Sequence, residues 1–306
     1  MILLLCLLNA SVFNVNGLGE DRSVFYVPFT GLLEKTHIEF TIQPEYTLIS
    51  SNGEARGLFW FNPFRVDLRI PVTPGFAVSL GNDERFNQSA DIYLQRDQLN
   101  LHYRSQGGVE EAYAHGHLHL PIAELCAGGS FFFGGSREIW DYDISDYVDT
   151  DTFEYRYLGW TIRGGLSVGI VFAAYEGLGH ITMTASDRDS ARDMPGRLTI
   201  GVRPVIGSYN LTAVFEHARW PGSPVNRFCV GVGRGRFRIL YSYNPWYVDG
   251  INEHGLQFAY QYPVKNLGSV GLALKTGYRS RGDLAEFTFL PELKITFEEL
   301  FSRRKK

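Results

Sequence analysis

Apolar and polar residues alternate with a period of two in segment after segment from Ile38 to Phe297. In the last segment Phe287, Phe289, Leu293, Ile295 and Phe297 share one parity, and Glu286, Thr288, Glu292, Lys294, Thr296 and Glu298 take the other. Successive side chains of a strand point to opposite faces, so each segment carries one apolar and one polar face. The pattern begins with Ile38, Phe40, Ile42, Tyr46 and Leu48 and turns at Ser51-Asn52-Gly53. It resumes with Val66, Leu68, Ile70 and Val72, turns at Thr73-Pro74-Gly75, and continues with Phe76, Val78 and Leu80. Late in the chain Leu256, Phe258, Tyr260, Tyr262 and Val264 oppose Gly255, Gln257, Ala259 and Gln261.

The composition of the polar parity decides between two all-β architectures. A soluble sandwich exposes many charges, whereas here the polar face is mostly Gly, Ser, Ala, Thr and Gln, as in the lumen of a membrane barrel. No helix-period segment and no interdomain linker interrupts the run. The expected fold is therefore all-β, a single antiparallel transmembrane β-barrel over residues 36–301 of about 14 strands, within a range of roughly 12 to 16. Counting segments gives about 16, but those at 89–96 and 98–105 are short for the roughly 9–11 residues of a spanning strand, and losing that hairpin leaves 14.

Connections add direction. Short turns near Pro121, Gly169, Ile206–Ser208, Arg234–Gly235 and Lys265–Gly268 alternate with longer polar stretches at 141–152, 187–195, 221–225, 245–252 and 280–284. An outer-membrane barrel has tight periplasmic turns and longer external loops, which predicts longer loops at the second set and a periplasmic C-terminus.

Mean hydropathy is only -0.12 and no internal apolar run reaches the length of a spanning helix, so a helical bundle is excluded while a barrel, diluted by its lumen residues, is not. The net charge of -4, with no basic stripe, argues against a nucleic-acid partner. Residues 1–17 open with an apolar run, Ile2 to Leu8, followed by small and polar residues, and read as an export signal. Residues 18–35 are expected to form a short N-terminal segment, a reduced plug or a periplasmic arm, and residues 302–306 a basic tail. Cys126 and Cys229 make no disulfide framework. No phosphate loop, nucleophile elbow or paired-cysteine metal motif is present, so neither an enzyme nor a cofactor is expected.

Residues 195–220, Pro-Gly-Arg-Leu-Thr-Ile-Gly-Val-Arg-Pro-Val-Ile-Gly-Ser-Tyr-Asn-Leu-Thr-Ala-Val-Phe-Glu-His-Ala-Arg-Trp, carry a resemblance. The stretch resembles a hairpin of the outer-membrane long-chain fatty-acid transporter family of FadL/TodX type, where a Pro precedes a Gly-Val strand and the next strand ends in Trp. The preceding pair, with Tyr157, Leu158, Gly159, Gly165, Leu166, Gly169, Phe172 and Ala173, is similar too. The resemblance implies a passive channel for small hydrophobic compounds such as fatty acids, with capture at the external mouth and lateral release through a strand kink. Family members carry an N-terminal plug, and a start near Gly19 leaves few residues for one. The alternative is a non-transporting barrel, structural or anchoring a secretion or surface complex. Expected partners are outer-membrane lipids, lipopolysaccharide, small hydrophobic ligands and the barrel-assembly machinery.

Three groups of residues carry candidate chemistry. Arg203, Arg238 and Lys275 fall on the polar parity of late strands and would offer cationic contacts to an anionic head group; the competing reading pairs them internally with Glu39, Glu45 or Asp67. His115, His117 and His119 share one strand face, with His102 on a neighbouring strand, a spacing that can converge on zinc or copper but more often forms a polar lumen patch. Asp141, Asp143, Asp146, Asp149 and Asp151 crowd one expected loop without the spacing of a calcium site. Trp60, Trp140, Trp160, Trp220 and Trp246 are expected in an interfacial aromatic girdle.

Overall fold

The computed structural model describes residues 20–21 and 35–298, apart from 52–53, 62–63, 97–98, 145–146, 186–187, 221–222, 246–250, 266–267 and 283. The expected signal at 1–17, most of the 18–35 segment and the tail at 302–306 lie outside the described residues. The rest is a closed antiparallel barrel of 14 strands with no helix.

In chain order they are β1 (His37–Ile42 and Pro44–Ser51), β2 (Glu54–Phe61 and Arg65–Thr73), β3 (Phe76–Asn87 and Ala90–Arg96), β4 (Leu99–His119), β5 (Ala123–Ile144), β6 (Tyr147–Val168) and β7 (Val171–Ala185). Then follow β8 (Arg188–Asp193, Arg197–Val202 and Val205–Ile206), β9 (Tyr209–Trp220), β10 (Ser223–Arg234), β11 (Phe237–Pro245), β12 (Asn252–Val264), β13 (Gly268–Arg281) and β14 (Leu284–Glu298). Neighbours in sequence pair antiparallel, and β14 closes on β1 through Phe297 with Ile38 and Phe287 with Leu48. That seam is unpaired between its two halves, where Pro44 and Pro291, each lacking an amide donor, lie in the unpaired stretch.

Polarity is inverted relative to a soluble barrel. Leu198, Ile200 and Val202 of β8 are exposed, while Arg197, Thr199 and Gly201, which alternate with them, are buried. Phe287 and Phe289 of β14 face out, and Glu286 and Thr288 face in. An exterior of exposed Leu, Ile, Val and Phe over a polar interior is stable only in lipid. On β6 the apolar outward run from Leu166 to Leu158 matches the roughly 9–11 residues a spanning strand needs, and Arg156 ends it.

Two expectations about the connections change. The segments at 89–96 and 98–105 are not a separate short hairpin; they are the outer ends of β3 and β4, whose pairing runs unbroken from Leu99 to His119 on β4 against β5. Of the polar stretch at 141–152, the described residues 141–144 and 147–152 are not loop but a continuing ladder, with Asp141 opposite Thr150 and Ile144 opposite Tyr147. Asymmetry between the barrel ends thus resides in strand length: β4, β5 and β6 run well past the apolar band at one end, while at the other the described connections, such as those at Gly75, Gly169, Gly207 and Gly235, are short turns.

Besides the unpaired stretch of the β14–β1 seam, the described residues leave a break in the wall between β2 and β3. Pairing of β2 with β3 stops at Asp67–Gly81, and among the described residues the upper parts of the two strands make no ladder with each other. Just above that point β3 bulges between Glu84 and Phe86, so consecutive residues Arg85 and Phe86 both enter the lumen. At the lower edge of the break the Asn82 amide takes the place of a backbone neighbour: its Oδ1 accepts from the Val66 N–H at 2.9 Å and its Nδ2 donates to the Phe64 carbonyl at 3.0 Å. Glu20–Asp21 pairs antiparallel with Asn87 and Phe86, on the edge of β3 that β2 has left.

Candidate functional site

Inward parity on β3 to β10 builds two layers across one side of the lumen. The upper one is apolar and takes one residue from each strand: Phe86, Val109, Phe132, Tyr157, Ile181, Met194, Ala218 and Val225. All are buried, and they form one cluster in a lumen that elsewhere mixes polar inward positions with scattered apolar ones such as Ala77, Phe172 and Ala174. Tyr157 anchors the layer through its hydroxyl, which receives the Gln88 Nε2–H at 2.7 Å and lies 3.2 Å from Ser136 Oγ.

Below it, toward the short-turn end, lies a ladder of alternating charge. Arg85, Arg163, Arg197 and Arg227 interleave with Glu111, Glu176 and Glu216 on β3, β4, β6, β7, β8, β9 and β10, none more than 4% exposed. Glu176 accepts from Arg163 at 2.8 and 3.0 Å, from Arg85 at 3.3 Å and from Arg197. Glu111 accepts from both terminal nitrogens of Arg163 and from the Ser130 hydroxyl at 2.9 Å. Glu216 accepts from Arg227 at 2.8 Å and lies 3.8 Å from Arg197. Taking such charges out of water costs several kcal/mol each, and only mutual pairing with satisfied hydrogen bonds offsets it. Arg85 also joins the layers, its guanidinium carbon 5.3 Å from the Phe86 ring centroid and 6.0 Å from that of Phe132.

The opposite side of the lumen, on β1 to β3, β13 and β14, is wetter. Arg65–Asp83 at 3.2 Å, Lys275–Glu292 at 2.8 Å and Lys294–Glu39 at 2.9 Å each have a partly exposed cation. Tyr113 donates its hydroxyl hydrogen to Asp67 at 2.5 Å.

The structure does not gather the three cations singled out in the sequence. Lys275 lies on this wet side and its partner is Glu292, rather than Glu39, Glu45 or Asp67. Arg203 and Arg238 lie at the short-turn rim, both exposed, on the parity of buried Thr199, Gly201 and Gly233; Arg203 sits 4.7 Å over the Phe172 ring. His115 and His117 are buried in the lumen beside half-buried His119, and His117 is held by Ser79 Oγ at 2.9 Å and by Glu124 at 3.5 Å. Among the described residues no group of three His, Cys, Asp or Glu is placed to hold a metal. The aspartates are divided between the two faces of the β5–β6 hairpin, Asp141 and Asp143 on one and Asp149 and Asp151 on the other; Asp146 lies outside the described residues. Asp141 is taken up by Arg104 at 2.7 Å and by the Thr150 hydroxyl at 2.9 Å.

Trp140 corrects the girdle. It is buried on the lumen face, its ring tilted at 56° to that of Tyr103 with centroids 4.5 Å apart, whereas Trp160 is exposed outward; the side chains of Trp60, Trp220 and Trp246 lie outside the described residues.

Solved structures share this barrel. The Ralstonia pickettii toluene transporter TbuX superposes with a TM-score of 0.62 at 11% identity, over 88% of this chain and 90% of that one. The Pseudomonas putida toluene transporter TodX gives 0.60 at 10% identity, over 89% and 91%. A Pseudomonas aeruginosa FadL homologue gives 0.57 at 9% identity, over 94% and 98%. The fold is that of a FadL/TodX-type barrel. No family model and no curated protein sequence matches the chain.

Neither the apolar layer nor the charge ladder was picked out from the sequence. Each strand contributes one member, and strand register alone assembles them. The signal that was available is a buried-parity charge on successive strands: Arg163, Glu176, Arg197, Glu216 and Arg227 alternate in sign along the chain.

Proposed function

We propose that the protein is an outer-membrane channel for small hydrophobic compounds, loaded from the long-strand end and emptied sideways through the break between β2 and β3. The observation that carries this reading is the apolar layer beside a break in the wall. A hydrophobic molecule entering from the long-strand end would lodge among Phe86, Phe132 and Tyr157 by parting their buried contacts, gaining roughly 25 cal/mol per Å² of its own apolar surface removed from water. The ladder beneath offers it only buried charge, whereas the β2–β3 break leads toward lipid. Solved barrels of this fold described as toluene transporters and monoaromatic hydrocarbon channels support the same reading.

In this orientation the short turns are periplasmic, the long strands meet lipopolysaccharide, and the chain is a client of the barrel-assembly machinery. Fatty acids are a proposed substrate, with Arg203 and Arg238 as cationic contacts for the carboxylate. A second reading, a non-transporting barrel, draws on the ladder, whose closely paired side chains fill part of the lumen.

Uptake by a Gram-negative host lacking its own hydrophobic-compound channels separates the two. Expression should raise uptake of a labelled monoaromatic, and no rise would leave the non-transporting reading. Deleting Arg85 removes the extra residue of the bulge and should abolish that uptake, whereas Arg85→Met keeps the bulge and should retain it. Equal uptake by both variants would sink the sideways route. Replacing Arg203 and Arg238 with Gln should lower uptake of a long-chain fatty acid and leave the monoaromatic unaffected; unchanged fatty-acid uptake removes the carboxylate role.

A further inference from the structure

The turn between β10 and β11 presents two arginines to lipid. Arg234 ends the outward parity of β10, after exposed Phe228, Val230 and Val232, and Arg236 follows across Gly235. The Arg234 guanidinium carbon lies 5.2 Å from the ring centroid of Tyr209, its cross-strand neighbour on β9, and its Nη1 is 3.4 Å from the Tyr209 hydroxyl. The Arg236 guanidinium carbon lies 5.2 Å from the ring centroid of Tyr262 on β12. The Arg236 carbonyl accepts from the Gln261 N–H at 3.0 Å, which fixes the turn against β12. Both rings are exposed on the outer face.

Neither arginine makes an ion pair with a carboxylate among the described residues, in contrast to the ladder arginines of the lumen. A guanidinium over a tyrosine face keeps its hydrogen-bond donors free for an anion, and the stacking limits the rotamers that binding must freeze. Their height is the edge of the apolar band, where Phe237 and Tyr260 pack at 4.8 Å and the phosphate layer of the bilayer begins. A flat, bidentate donor pairs with phosphate better than with any neutral head group.

We propose that Arg234 and Arg236, cradled by Tyr209 and Tyr262, form a binding site for the phosphodiester of an anionic phospholipid in the leaflet at the short-turn end. Ordered lipid there would bridge β9, β10 and β12 across the turn. The site is independent of what traverses the lumen.

The test is retention of phosphatidylglycerol by the full-length barrel, released from nanodiscs and counted by native mass spectrometry. Wild-type protein should keep phosphatidylglycerol in preference to phosphatidylcholine. The Arg234→Gln/Arg236→Gln variant should lose that preference by roughly thirtyfold, as expected for two interfacial arginines. Lys265→Gln/Lys294→Gln removes the same charge near the same end but away from this turn, and should retain it. Equal loss in both variants would reduce the effect to net charge and overturn the site, as would no loss in either. Inorganic phosphate added to phosphatidylcholine nanodiscs should leave no adduct; an adduct as stable as the lipid's would assign the turn to free phosphate instead.

Discussion

Glu176 is 1% exposed and takes hydrogen bonds from Arg85, Arg163 and Arg197, so its charge is held by three partners from three strands. Glu176→Gln keeps the volume but leaves those guanidinia with Glu111 and Glu216 only; the barrel should lose about 3–5 kcal/mol, read from urea unfolding in lipid vesicles. Asp141, on the hairpin beyond the apolar band, behaves differently. The Thr150 hydroxyl bond and the Arg104 guanidinium hold its carboxyl below the usual carboxylate range. A depressed folded value means that its contribution is complete above the unfolded value, near pH 4, and is lost as pH falls through the folded one. Hydrogen-exchange protection factors across 137–156, referred to the intrinsic rate at each pH, should therefore fall on acidification, and Asp141→Asn should flatten that response. At this scale the sequence was readable in part. Parity showed that Arg203, Arg238 and Lys275 share a face, but partners such as Glu292 depend on strand register, which no local pattern encodes. Trp140 was misread because composition suggests a girdle, while its own parity, shared with buried Glu138 and Ser136, points it inward.

Strands were the most legible elements, because a binary pattern of period two survives any tertiary context in which one face meets lipid and the other does not. Their lengths were less legible. Beyond the apolar band both faces are polar, the alternation fades, and a continuing ladder such as 141–144 with 147–150 looks like a loop. The β3 bulge was hidden for a related reason: one extra residue flips the parity, so Arg85-Phe86-Asn87-Gln88 reads as a strand end rather than as a strand that dips inward. The dip needs room on β4. A Cβ at Gly108 would meet the Phe86 carbonyl oxygen, and Gly107 has φ +116, a conformation that side chains resist. Gly108→Val should therefore push Phe86 out of the apolar layer. A hydrophobic fluorescent probe should then bind at least several-fold more weakly while the barrel stays folded; unchanged affinity would mean that Phe86 does not form the ligand's resting place.

For the whole molecule the inside-out arrangement of polarity has a direct readout. The protein should fractionate with membranes, need detergent for extraction, and migrate faster on a gel unheated than boiled; recovery as a detergent-independent soluble protein would contradict the fold. The seam between β14 and β1 bears on how such an object comes into being. Its pairing partners, Ile38 with Phe297 and Leu48 with Phe287, stand far apart along the chain, so one edge of β1, whose other edge pairs with β2, has no lasting partner until β14 arrives. Until then β1 and β14 are both raw edges, open to pairing with whatever strand is near. Between the two paired zones Pro44 and Pro291 withhold their share of the ladder, which leaves the junction as two short clasps instead of one long zip. Sealing can then begin at either clasp, and a mistimed pairing at one can be undone without unthreading the other.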